Sequence, residues 1–142
     1  MLFRSRDSLL VKKSIIEYDE FEKSIRQSLN YGHTFGHVIE IITDYKIPHG
    51  IAVIWGMILI NAYFNIKDEP FEQHCKSYLK SFKFNFTKEM FMEVLLRDKK
   101  VQGNSITLIK TEFGNTEFVK TRVSADFIDA ITSSLLRIQD QL

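Results

Sequence analysis

Two histidines four residues apart, His33 and His37, lie in the stretch LNYGHTFGHVIE, which otherwise has the composition of a buried helix. Imidazoles at i and i+4 share one face of a helix, where they can bind a divalent metal, carry a proton or pack in a core. Spacing alone favours the structural role over the ligand role. A third histidine, His49, follows Pro48 at the head of another apolar segment, and from there it could face back toward the pair. Catalytic zinc takes about three protein ligands and keeps one position open for water or substrate. Three histidines can supply them, although spacing does not establish that they converge.

The same face continues in both directions. If residues 21–45 form one helix, Glu22, Arg26, Asn30, His33, His37 and Glu40 fall within about an 80° arc, because their spacings track the 3.6-residue period. These residue types ligate metals, hold carboxylates and move protons, whereas a solvated face usually scatters lysine and glutamate. The rest of the circumference is apolar, with Ile25, Leu29, Tyr31, Phe35, Val38, Ile39 and Ile42, and Gly32 and Gly36 permit close backbone approach. The expectation is a largely buried helix whose polar stripe lines a cleft.

The elements that must position this stripe are mostly helical. Helical periodicity marks 9–18, 21–45, 50–65, 70–82, 87–97 and 125–142, with Pro48 breaking the second from the third and Ser124 capping the last. Between 105 and 120 the period changes to two. Ile106, Leu108 and Phe118 alternate with polar residues around FGNT, which predicts a hairpin. The expected fold is therefore a mainly α helical bundle with one small β-hairpin, in a single domain over 1–142.

Composition narrows the function. Nineteen basic and eighteen acidic residues give a net charge of +1 without like-charged blocks, so no electrostatic feature recruits nucleic acid or an anionic membrane. The longest apolar run, 51–60, is well short of the roughly twenty residues that span a bilayer. The first residues, MLFRSRDSLLVKK, lack the features of a signal peptide, and a cytoplasmic location is expected. Cys75 is alone, which rules out an internal disulfide and a cysteine-rich zinc motif and suggests a buried or idle thiol. His74 is expected at the surface. No glycine-rich strand-to-helix turn occurs that would cradle a dinucleotide.

The blocks SIRQSLNYGHTFGHVIE and IPHGIAVIWGM together resemble the signature of the 3-dehydroquinate synthase family, the sugar phosphate cyclases, whose pattern is close to R-x-x-L-N-[FWY]-G-H-[ST]-x-G-H-x-x-E followed by H-G-E-x-V-x-x-G-M. Upstream, VKKSIIEYDEFE resembles the family's VKxxVVxxDExE, and downstream RDKK before a hairpin resembles its DKK segment. The likeness extends over about 12–120. It implies that His33 and His49 ligate zinc, and that His37 faces the substrate as an acid/base or hydrogen-bonding group. It also places Glu22, Asn30, Lys12 and Arg26 at active-site positions. Lys12 and Arg26 suit the carboxylate and phosphate of an anionic sugar-acid phosphate, with Lys99 or Lys100 as a further cation. Without the likeness, Lys99 and Lys100 would be assigned to a solvated helix end.

The chemistry implied is a zinc- and NAD-dependent conversion of 3-deoxy-D-arabino-heptulosonate 7-phosphate to 3-dehydroquinate in the shikimate pathway. A substrate hydroxyl is transiently oxidised, phosphate is eliminated, the ketone is reduced again, and the opened ring closes by an aldol step. Two departures qualify this. The chain resembles only the carboxy-terminal helical domain; the amino-terminal nucleotide domain and the glutamate that completes the zinc site fall outside the likeness, so the chain alone is expected not to bind NAD or turn over. Ile51 stands where the family has glutamate after H-G. Expected partners are the sugar-acid phosphate, a nucleotide-binding domain on a separate chain, and a second copy of this chain. The alternatives are another cyclase of the 2-deoxy-scyllo-inosose or valiolone synthase type, which Arg26, Asn30 and His37 together favour less, and a non-enzymatic relic or interaction domain.

Overall fold

The computed structural model describes residues 2–21, 25–98, 101, 103–112 and 114–142. The candidate residues Glu22, Lys99 and Lys100 lie outside the described residues. The chain divides into two compact units between Asn30 and Tyr31.

The first unit contains α1, Leu2–Tyr18, and a 3₁₀ turn, Ile25–Asn30. α1 thus begins seven residues before the first helical periodicity, which the sequence shows from residue 9. Buried Asp19 joins the two elements, because its Oδ2 accepts the backbone N–H of Arg26 at 3.0 Å and so satisfies a donor at the head of the 3₁₀ turn. Arg26 in turn donates from Nη1 to the carbonyl of Glu20 at 2.6 Å.

The single helix expected over 21–45 does not form. Among the described residues of that stretch, the α-helical part is α2, His33–Ile42. Gly32 stands immediately before it at φ +80°, in the left-handed region that breaks a right-handed helix. A glycine within a helical pattern reads as a weak helix residue, and periodicity cannot tell it from one that reverses the backbone. The six-residue stripe is corrected accordingly: His33, His37 and Glu40 share α2, whereas Arg26 and Asn30 lie on the 3₁₀ turn of the other unit. Ile25, expected on the buried circumference, is 49% exposed.

The second unit is built on the pairing of α2 with α3, His49–Tyr63. After Ile42 the Thr43 hydroxyl donates back to the Ile39 carbonyl at 2.7 Å, and Asp44 and Tyr45 adopt φ of 53° and 55°, which turns the chain toward Pro48. The two helices then pass in opposite directions through glycine contacts. A Cβ on Gly36 would lie 3.1 Å from the Val53 Cα, and one on Gly56 would lie 1.9 Å from the Gly32 carbonyl oxygen. Around this pair stand α4, Glu69–Leu79, α5, Lys88–Arg97, and α6, Ala125–Asp140. Each begins at a side-chain cap. Asp68 accepts from the Phe71 N–H, Thr87 from Met90 and Ser124 from Phe127. Phe35, Trp55, Leu59, Phe91, Leu95 and Ile131 are fully buried among them.

The strands β1, Ser105–Glu112, and β2, Asn115–Arg122, form the expected antiparallel hairpin, and the mainly α fold with one hairpin stands as read from the sequence. Glu112 pairs with Asn115 at the end of the ladder, and Gly114 beside it adopts φ +80°. The register also sets which face each strand residue takes. Leu108 pairs with Val119 and Ile109 with Phe118, so Phe118 lies on the face opposite Ile106 and Leu108 and is 42% exposed. Among the described residues, no helix is long and apolar enough to cross a membrane.

Cys75 is buried on α4, and its thiol is pushed up to about 11 by burial first and then by the nearby carboxylates Asp68 and Glu72. Alkylation of Cys75 near neutral pH should therefore be about a hundredfold slower in the folded chain than in denaturant, since two pKa units remove that much thiolate. Unfolding frees a thiol that ionises at lower pH, so this group's stabilising contribution is complete below about pH 9 and is lost as pH rises toward about 11. Equal labelling rates in the two states would contradict the burial.

Candidate metal and substrate site

The site residues come from the ends of two helices held in register by glycine contacts. His33 is the first residue of α2, His37 lies one turn further, and Glu40 follows on the same side. His49 is the first residue of α3, placed there by Pro48, whose φ of −59° pre-sets the helix entry. Because the helices run oppositely, the start of α3 is folded back along α2.

Three imidazoles meet as a result. The ring centroids lie 5.3 Å apart for His33 and His49, 5.7 Å for His33 and His37, and 6.1 Å for His37 and His49. Convergence, which spacing left open, is thus a feature of the fold. A carboxylate joins them: Nδ1 of His49 lies 3.0 Å from Oε1 of Glu40. Ligand-capable atoms of His37, Glu40 and His49 lie within 4.8 Å of one another, and they are the one such group of three or more among the described residues. His33 stands beside this group through its contacts with both other rings, and its Nδ1 lies 3.3 Å from the Tyr31 carbonyl oxygen. Nitrogen and carboxylate donors in this number suit a zinc-type ion.

A cleft of about 520 Å³ opens beside the cluster, lined in part by His37, Glu40, Tyr45, Val94, Arg97 and Asp98. It has an apolar wall and a few charged groups, as sites for small polar ligands do. Arg97 and Asp98, just before Lys99 and Lys100, were not singled out from the sequence. The signal available was their place in RDKK. Glu40, on the polar stripe, has no role in the sequence reading, although its position about one turn after His37 makes it the next group on that face.

The remaining candidates are placed as follows. Lys12 is exposed on α1, Asn30 is half-buried on the 3₁₀ turn, and Arg26 spends one guanidinium nitrogen on the Glu20 carbonyl. Ile51, at the position where glutamate was expected, packs partly buried against the core from the first turn of α3. His74 is exposed on α4 with its ring against Tyr78, as expected of a surface residue.

Known proteins resemble this chain over most of its length. The family described as 3-dehydroquinate synthase C-terminal matches residues 5–101. A protein named 3-dehydroquinate synthase from Dictyoglomus thermophilum is 40% identical over 135 residues, which cover 89% of this chain and 38% of that relative. One of the same name from Campylobacter jejuni is 36% identical over 133 residues, 87% of this chain and 38% of the relative. Another from Prochlorococcus marinus is 38% identical over 123 residues, 80% and 33% respectively. The chain spans about a third of the length of these relatives.

Proposed function

We propose, because the chain belongs to the 3-dehydroquinate synthase C-terminal family, that it supplies the metal- and substrate-facing half of an enzyme that converts 3-deoxy-D-arabino-heptulosonate 7-phosphate to 3-dehydroquinate with loss of phosphate. The observation that carries this reading is the convergence of His33, His37 and His49, with ring centroids 5.3 to 6.1 Å apart beside a cleft. His33 and His49, the closest ring pair, are assigned as the ligands. A carboxylate from an amino-terminal domain is the third.

When bound, zinc supplies Lewis-acid polarisation of a substrate hydroxyl, and NAD, held by the amino-terminal domain, supplies the hydride acceptor. The chain's own residues do the rest. His37 lines the cleft, where a neutral ring nitrogen can take a proton from a substrate oxygen and return it. Lys12, Arg26, Lys99 and Lys100 are assigned to the phosphate and carboxylate of the substrate. A guanidinium meets such groups through two parallel N–H donors, and an ammonium meets them as a point charge. For Arg26 this means exchanging its bond to the Glu20 carbonyl for a charged acceptor. Glu22 and Asn30 are assigned to proton handling and orientation at the reacting carbons. The cations also hold a flexible ring-opened substrate in the geometry of the final aldol closure.

The test is phosphate release from the heptulosonate phosphate with zinc and NAD supplied. The 142-residue chain alone is expected to release none, since its sequence has no dinucleotide-cradling turn. Joined to or mixed with a family amino-terminal domain, it should release phosphate, and chelation or omission of NAD should stop it. A completed protein that binds both zinc and NAD yet leaves the substrate intact would exclude this reaction.

A further inference from the structure

We propose that Glu40 is a positioning residue, whose carboxylate accepts the Nδ1–H of His49 and thereby leaves the Nε2 lone pair of that ring free for a metal ion. This inference rests on the reading of His49 as a ligand. Its starting point is the contact of 3.0 Å between Nδ1 and Oε1. A carboxylate without a proton can only accept, so the hydrogen bond requires the proton on Nδ1 and fixes which tautomer the neutral ring adopts.

The two partners are unequal in a telling way. The Glu40 side chain is 12% exposed, whereas that of His49 is 56% exposed. The carboxylate is held by the protein, and the ring projects outward. An exposed imidazole would otherwise sample both tautomers and several rotamers, so the buried acceptor is what gives the ring a definite direction. The fold places this acceptor by design of the α2–α3 connection. Glu40 lies in the last turn of α2 and His49 at the first position of α3, and the left-handed residues Asp44 and Tyr45 return the chain so that residues nine apart meet. The same carboxylate also borders the cleft beside His37. Carboxylates that hold the far nitrogen of a ligating histidine raise its basicity and order it, and losing one costs about 10- to 100-fold in metal affinity.

Nitrogen NMR of the metal-free 142-residue chain, at a pH well above the ordinary imidazole range, reads the tautomer directly. His49 should carry its proton on Nδ1 in the native chain and in Glu40→Gln, whose amide oxygen can still accept, and should shift toward the Nε2–H form in Glu40→Leu. Zinc affinity, measured by competition with a chromophoric chelator, should fall about 10- to 100-fold in Glu40→Leu and by less than about tenfold in Glu40→Gln. Equal losses in the two variants would make Glu40 a direct ligand in place of a positioning group and overturn the proposal. An unchanged tautomer in Glu40→Leu would overturn it as well. His49→Ala measured alongside separates the two levels: if it leaves zinc affinity intact, the metal reading itself fails, whichever tautomer is found.

Discussion

Replacing His33 with alanine in the enzyme completed by an amino-terminal domain is expected to remove stoichiometric zinc and, with it, phosphate release; His37→Ala should keep the zinc and slow release by about 10²- to 10⁴-fold. The two residues are one helical turn apart and their rings are 5.7 Å apart, so a shared role would be the simplest assumption. Their surroundings differ. His33 is the ring nearest His49, at 5.3 Å, while His37 lines the cleft. A ligand loses its function with its nitrogen, because two remaining donors hold zinc far less firmly than three. A proton-transfer group leaves polarisation and hydride transfer in place and removes only its own contribution. Bound zinc and phosphate release, measured on the same two variants, decide the matter. Zinc lost from His37→Ala and retained by His33→Ala would assign the ion to His37, Glu40 and His49, whose ligand atoms already lie within 4.8 Å of one another.

Gly56→Ala is expected to destabilise the chain by about 3 kcal/mol, at the upper end of the range for overpacking, and Gly50→Ala by almost nothing. Both glycines are in α3. A Cβ at 56 would lie 1.9 Å from the Gly32 carbonyl oxygen and 2.9 Å from the Gly36 nitrogen, both backbone atoms that cannot rotate away. The only relief is to move α2 off α3, which would also part His49 from Glu40 and the other rings. A Cβ at 50 meets nothing within 4 Å, and alanine there favours the helix. Urea titration followed by circular dichroism at helical wavelengths measures both. Similar midpoints for the two variants would mean that the helices are not packed through these glycines.

Most of the helices, the hairpin and the resemblance that named the histidines were legible in the residues alone, because each depends on short-range patterns. Ser124 marked the start of α6 since a hydroxyl accepts the Phe127 N–H three residues on, and the break at Pro48 followed from the ring that removes an N–H. The two-residue period around 105 to 120 required strands whatever they packed against. Periodicity failed at Gly32. A glycine at φ +80° and a mid-helix glycine leave the same pattern in the sequence, and only the approach of Met57 and Val53, which would meet a Cβ there at 2.6 Å, shows why the backbone turns. The facing of Phe118 is set by its pairing with Ile109 across the turn, which alternation within one strand does not specify.

The amino-acid sequence by itself determined which groups were available for chemistry: three imidazoles, a set of carboxylates and cations at motif spacing, and a family to which they belong. It determined too that α2 would present His33, His37 and Glu40 on one side, because helical geometry acts over four residues. Only the tertiary structure decided that His49 meets them. That meeting depends on the antiparallel passage of α2 and α3, on glycines that let two backbones touch, and on a six-residue connection with two left-handed residues. The physical reason is range. Side-chain spacing on one element is set by bonds along the chain, whereas the 3.0 Å contact between Glu40 and His49 is set by how closely two separate helices can pack.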